Sequence, residues 1–400
     1  MKKSLFFLLT FLVSLSYSCT NKTEKKTILP IDNDLIIINI DDCQKEDGIN
    51  ASYFFDNIRT IILETNENAL IENIKNVMVH DNFILVFDIS RHGDLFIFHS
   101  DGRFSHKIGN RGTGPGEYIK ISDFSLDKDN NDVYILDNSS KCIIKHKLST
   151  GEFISSIRLK TNRFPSSIQY FDENLYLDAC DVIDNEKELL YKIDKNDGSE
   201  VYSWLSADIY NQGWIDACFW EDGFFLSRDA NNPKYTNLFM DTVMSITQDG
   251  VKPYLVVNAK KWVKKEDLQE IQYEDRPDVI LHMEKKERTF GISKLVEVKD
   301  AIFFSLILDN NFYNVFRSPE EIRVCGRIID DMAYNGEQFP LNKMVCSDDN
   351  GVYAVSSPHL FAEYTGRNIS DILKEDLDKR ELLVQLSEDS NPVIFYYEYR

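Results

Sequence analysis

"FSLDKDNNDVYILD", residues 124–137, holds an apolar run, a polar hinge of Asp, Asn and Lys, and a second apolar run of aromatic and β-branched residues. That is the signature of a β-hairpin. The same pattern returns in "VMVHDNFILVFD" (77–88), "SIQYFDENLYLDA" (167–179), "DACFWEDGFFLSRD" (216–229), "KLVEVKDAIFFSLI" (294–307) and "MVCSDDNGVYAVSS" (344–357). Six copies make a repeat. Their second strands begin near Phe83, Val133, Leu175, Phe224, Ile302 and Val352, at intervals of 50, 42, 49, 78 and 50 residues. A period in the forties is what a four-stranded propeller blade requires.

Further hairpins follow the repeat. Strand-like runs flank Asp101-Gly102, Thr150-Gly151, Asp197-Gly198 and Asp249-Gly250. Asp-Gly suits a type I′ turn, in which both central residues take positive φ. The predicted fold class is therefore all-β, a six-bladed β-propeller of four-stranded antiparallel blades, occupying 34–400. The 78-residue interval carries a surplus, "NAKKWVKKEDLQEIQYEDRPDVILHMEKKERTF" (258–290), which reads as a partly helical insertion. A helix is predicted over 368–386, behind an Asn-Ile-Ser-Asp start. The last blade lacks an outer strand, and residues 57–65 are expected to supply it and close the ring.

The N-terminus stands apart from the repeat. Lys2 and Lys3 precede "LFFLLTFLVSLSYS", an apolar run too short for a stable span, and Cys19 follows directly. The segment resembles a bacterial lipoprotein signal, with Ser16 where Leu is usual. The resemblance implies a signal peptide over 1–18, lipidation of Cys19, and a polar tether over 19–33. It also implies the cell envelope, as a lipid-anchored protein of a Gram-negative outer membrane.

The propeller pattern, "IILET" (61–65), "ILVFD" (84–88), "IGNRGTGPGEY" (108–118) and the lipidation signal together resemble the six-bladed propeller lipoproteins of Bacteroidetes, similar in style to NHL-repeat propellers. That likeness implies fold and envelope location and leaves the chemistry open.

"GNRGTGPGEY" (109–118) tests the nucleotide alternative. A P-loop needs GxxxxGK[ST], and a dinucleotide fingerprint needs GxGxxG opening a helix. Here no Lys-Ser/Thr follows, and the chain continues into a strand. The stretch reads as a structural link from one blade to the next.

Net charge is −21, and removing two lysines with the signal makes it −23. Such a surface repels phosphate backbones, so nucleic acid is excluded as a partner. No GxSxG, HExxH or CxxC occurs, so no catalytic residue, metal site or cofactor is assigned. Cys43, Cys142, Cys180, Cys218, Cys325 and Cys346 read as buried thiols, with Cys180–Cys218 the one pair to test. "DTV" (241–243) resembles a Bacteroidetes O-glycosylation site.

In an antiparallel meander the links between blades and the second-to-third-strand turns share one face. That loop-rich face is the candidate binding face, with Asp88, Arg91, Arg111, Glu117, Tyr118, Asp137, Arg228, Asp229 and Trp262. The insertion 258–290 is expected to cover the channel mouth there. The function expected is a binding or scaffold protein for a protein, small-molecule or glycan ligand, held at the membrane by its lipid. The alternative is a propeller lyase or hydrolase with its site at the channel mouth.

Overall fold

The structure, a computed structural model, describes residues 35–90, 92–178, 187–215, 224–228, 231–332, 343–359, 386–387 and 389–400. Cys19 with its signal and tether, Arg91, Cys180, Cys218, Asp229 and all of the 368–386 helix except Leu386 lie outside the described residues.

Six antiparallel four-stranded sheets form a six-bladed β-propeller. Blade one is Ile74–His80, Phe83–Asp88, Asp94–His99 and Phe104–Lys107; blade two is Asp123–Asp127, Asp132–Asp137, Cys142–Lys147 and Phe153–Arg158. Blade three is Ile168–Phe171, Asn174–Asp178, Glu188–Ile193 and Glu200–Ser206. Blade four is Phe225–Leu226, Lys234–Tyr235, Thr242–Thr247 and Gly250–Asn258; blade five is Phe290–Val298, Ala301–Leu308, Asn311–Arg317 and Ile322–Cys325. Blade six combines Met344–Ser347, Gly351–Ser356 and Val393–Tyr399 with an outer strand from the other end of the chain, Phe55–Ile62.

The middle strands are buried on both faces, and the core lies between neighbouring blades. One cluster joins Leu85, Phe87 and Ile97 of blade one to Phe124, Val133 and Ile135 of blade two. Another joins Tyr134, Leu136 and Ile143 to Leu175, Leu177 and Tyr191 of blade three. Alternate residues of one strand thus pack against different neighbours, which is why these strands read as continuous apolar runs.

Blade four departs from the sequence reading. Phe225–Leu226 pairs with Lys234–Tyr235 and is the innermost described strand, not the second. Two two-residue strands leave too little periodic sequence to identify, so the sequence reading places this hairpin one strand too far out. The outer hairpin turns also differ. Gly102, Gly151, Gly198 and Gly250 have φ of 90°, 70°, 72° and 122°, while Asp101, Thr150, Asp197 and Asp249 stay at negative φ. These are turns with one left-handed residue, the glycine; type I′ geometry, with both residues positive, occurs instead at Asp172-Glu173 and Asp309-Asn310.

A segment that the sequence reading left unassigned straps the rim. Ile36–Asn39 runs parallel to the outer strand of blade four, and Lys45–Glu46 runs parallel to that of blade five. Ile49–Asn50 then pairs with Ile328–Ile329 before the chain enters blade six.

The insertion folds as helices Lys265–Gln269 and Val279–Lys285 joined by a 3₁₀ turn, Tyr273–Asp278. Leu268, Val279 and Met283 are buried in one cluster with Trp214, Phe239 and Phe290, over blades three and four. The expected cover of the channel mouth is corrected by this packing: no residue of 258–290 lines the central cavity. The glycosylation reading is corrected too. Thr242 is buried within a strand and its hydroxyl donates to Asp241.

Candidate functional site

A propeller leaves the inner edge of each first strand unpaired along its axis, and those backbone groups need partners. Blade two supplies them to blade three. Asp123 accepts a hydrogen bond from the Ile168 N–H at 2.9 Å, and the Ser125 hydroxyl accepts one from the Tyr170 N–H at 2.8 Å. Arg228, just beyond the inner strand of blade four, crosses to the same place. Its guanidinium donates to Asp123 at 2.9 Å, to Gln169 Oε1 at 3.1 Å, and to the carbonyls of Phe124 and Ile168. Asp123 is 1% exposed, so this ion pair ties blades two, three and four together in a water-poor setting.

Arg228 separates two hollows and lines both. On the loop-rich side is a cavity of about 240 Å³ bounded by all six blades. It reaches the surface near Asn73 and Ile89, the latter 36% exposed. Phe224, Phe225, Leu226, Leu295, Val296 and Met344 give it an apolar wall. Its charged lining is Lys75, Arg228, Lys294 and Lys343, against Asp123 as the one carboxylate among the described residues. On the opposite side is a wider basin of about 760 Å³, where the short inner strands of blade four leave room. Four basic and four acidic side chains balance one another there. Its wall holds a trio built on the buried Lys234: its ammonium lies 2.9 Å from the half-buried Glu297, and the half-buried Tyr254 donates its hydroxyl to Glu297 at 2.6 Å. Burial and that carboxylate push the Tyr254 phenol well up.

Most of the sequence-chosen residues serve the fold. Asp88 and Asp137 are buried, and each accepts backbone N–H groups from the link entering its blade: Glu72 and Asn73 for Asp88, and Ile119 for Asp137. Asp178, which was not singled out, repeats the device in blade three with Ser166 and Ser167. A shared Asp at the end of "ILVFD", "VYILD" and "LYLD" was the signal for it.

Within 109–118, Gly114 N–H donates to the Glu117 carboxylate at 2.7 Å, and a Cβ on Gly112 would lie 2.0 Å from that carboxylate. The loop is folded around Glu117. Tyr118 is buried with its hydroxyl on Asp94, whereas Arg111 is exposed; neither lines the central cavity. Trp262 is buried, donating to the Phe239 carbonyl. Arg228 alone of the nine reaches the cavity among the described residues. Its partner Asp123, which lies 105 residues away in sequence, was missed because nothing local marks the pair.

No group of three or more His, Cys, Asp or Glu side chains able to hold a metal occurs among the described residues. Of the described cysteines read as buried thiols, Cys325 and Cys346 are buried, whereas Cys43 and Cys142 are only partly so.

The family model described as Domain of unknown function (DUF4934) matches residues 35–398. No curated protein sequence matches the chain. Among solved structures, a Bacteroides fragilis protein classed as exported superposes with a TM-score of 0.71 at 16% identity, covering 92% of this chain and 99% of its own. A Bacteroides vulgatus member of the DUF4221 family gives 0.49 at 12% identity, over 86% and 96%. The first likeness is one of fold.

Proposed function

We propose, from the premise that this chain belongs to the DUF4934 family, that it is an exported propeller which binds a small ligand in its central cavity and is held at the cell envelope through Cys19. The observation that carries the binding reading is the cavity itself. It is small, walled by apolar side chains with a few charges, and reaches the face where the inter-blade links lie. Export and anchoring rest on the N-terminal signal and gain support from the exported structural neighbour.

Two experiments test the two halves. Metabolic labelling with a fatty acid should mark the full chain and not Cys19→Ala; label that persists in the variant removes the anchor. Screening small molecules against the wild type and Ile89→Trp, which blocks the cavity entrance, should give hits that the variant loses. Hits that bind both equally place the ligand elsewhere.

A further inference from the structure

Beyond the central cavity, we infer a second binding site, in the basin on the opposite face, for a neutral polyhydroxylated ligand of the carbohydrate class. Its key wall is one face of blade four. Lys234, Ser245 and Lys252 are paired side by side across three strands, so their side chains share that face, and all three line the basin. Farther along the sheet, Leu226, Val243 and Leu255 seal blade four against blade five. Toward the basin the apolar seal gives way to polar groups, although Lys234 and Ser245 are only 4% and 6% exposed. Polar side chains buried in this way are costly beside an apolar filling of the same volume. A wall that keeps them is shaped for a polar occupant.

The groups still open on that wall decide the ligand. Arg228 and Lys234 are held by Asp123 and Glu297, and Lys128 and Lys252 each have a partner as well. None of these four cations is free to pair with an anion. The Ser245 hydroxyl, by contrast, has no partner among the described residues, and it can both donate and accept. Glu297 takes the Tyr254 hydroxyl on one oxygen and Lys234 on the other, which leaves lone pairs to accept further hydroxyls. Asn231 and Asn232 bring exposed amides to the edge. A hydroxyl-rich ligand matches this set, because each of its hydroxyls donates and accepts. The half-buried rings of Tyr170 and Phe171, from blade three, suit the apolar face of a sugar ring. A volume of about 760 Å³ is that of a small-ligand site.

The test is ligand-observed NMR on the full folded chain with maltotriose, cellotriose, xylotriose and mannotriose, beside trigalacturonate and spermidine as charged controls. At least one neutral sugar should bind, and more tightly than either control. Ser245→Ala and Asn232→Ala should each weaken it about fivefold, the loss of a neutral hydrogen bond, with the melting temperature of the wild type. Ile89→Trp, at the entrance of the central cavity, should leave sugar binding unchanged. Sugar binding lost in Ile89→Trp belongs to the central cavity and overturns the basin site. Ser245→Ala and Asn232→Ala variants that both bind as the wild type does overturn it too. A charged control that binds more tightly than every sugar overturns the ligand class. Silence across the neutral panel overturns the inference and leaves the central-cavity reading standing.

Discussion

Removing the guanidinium of Arg228 strands Asp123, a carboxylate in the water-poor centre of the ring, and frees the carbonyls of Phe124 and Ile168. Breaking one side of such a buried pair costs about 3–5 kcal/mol. Arg228→Met should lose that much in chemical denaturation, and adding Asp123→Asn should recover part of it by deleting the stranded charge. A double variant no more stable than Arg228→Met would show that the pair is not the unit that matters. Asp178 yields a second residue-scale expectation, with the opposite dependence on pH from an ordinary paired carboxylate. Burial pushes its carboxyl up to about 6, against the pull of hydrogen bonds from Ser166 and Ser167 and the charge of Lys75. The unfolded value is about 3.9. The folded state thus holds the proton more tightly. The stability it contributes is complete below about pH 4 and is lost as pH rises through about 6, a change on the order of 3 kcal/mol. Asp178→Asn keeps an acceptor for the two N–H groups and never ionises. Its melting temperature relative to the wild type should therefore rise between pH 4 and 7, and a difference that stays flat across that range would refute the raised value.

At the scale of the blade, the outer hairpin turns of blades one and three lock those sheets to the ones before them. Strand twist of about 20–25° per pair accumulates across a blade, so an outer strand swings toward its neighbour's turn. The end of one outer strand there meets the turn glycine of the next blade. The Gly102 carbonyl accepts from Glu64 N–H, and the Gly198 carbonyl accepts from Lys160 N–H, both at 2.8 Å. A Cβ on Gly198 would lie 2.1 Å from the Arg158 carbonyl oxygen, whereas one on Gly250 would meet nothing within 4 Å. Both glycines have positive φ, so alanine strains each by about 1–3 kcal/mol. Gly198→Ala should cost clearly more, because the blade contact must also open; equal losses in denaturation midpoint would remove the turn from the inter-blade contact. The same turns show what the sequence could reveal. Asp-Gly between apolar runs was enough for the hairpins and the blade count, because strand and turn chemistry are local. Blade four escaped because its inner strands are two residues long, and the Ile36–Asn39 strap escaped because parallel edge pairing leaves no turn to read. The Arg228–Asp123 pair was illegible for a related reason: contacts made across the axis have no sequence spacing of their own.

For the whole molecule, the chain's first described residues do two separable jobs. Residues 36–50 cover the outer edges of blades four and five and continue along Ile328–Ile329, and Ile38 and Ile40 are fully buried in doing so. Phe55–Ile62 instead completes blade six, running antiparallel to Val393–Tyr399. The first job protects edges; the second joins the two ends of the chain and makes the ring continuous. Losing an edge cover exposes unpaired N–H and C=O groups, which invites association with another chain but leaves the sheets beneath it paired. Losing the closing strand takes an entire strand from blade six and uncovers Phe395 and Tyr397, both now fully buried. Two truncations separate these effects. A chain beginning at Ala51 should still unfold in one cooperative transition, at a lower midpoint, and should self-associate through its bare rims. A chain beginning at Glu64 should lose the cooperative transition altogether, because blade six then presents an open edge to the core it shares with blades one and five. Calorimetry with sedimentation on the two chains decides the matter: if the Glu64 chain melts as the parent does, the ring does not depend on the N-terminal strand for its closure.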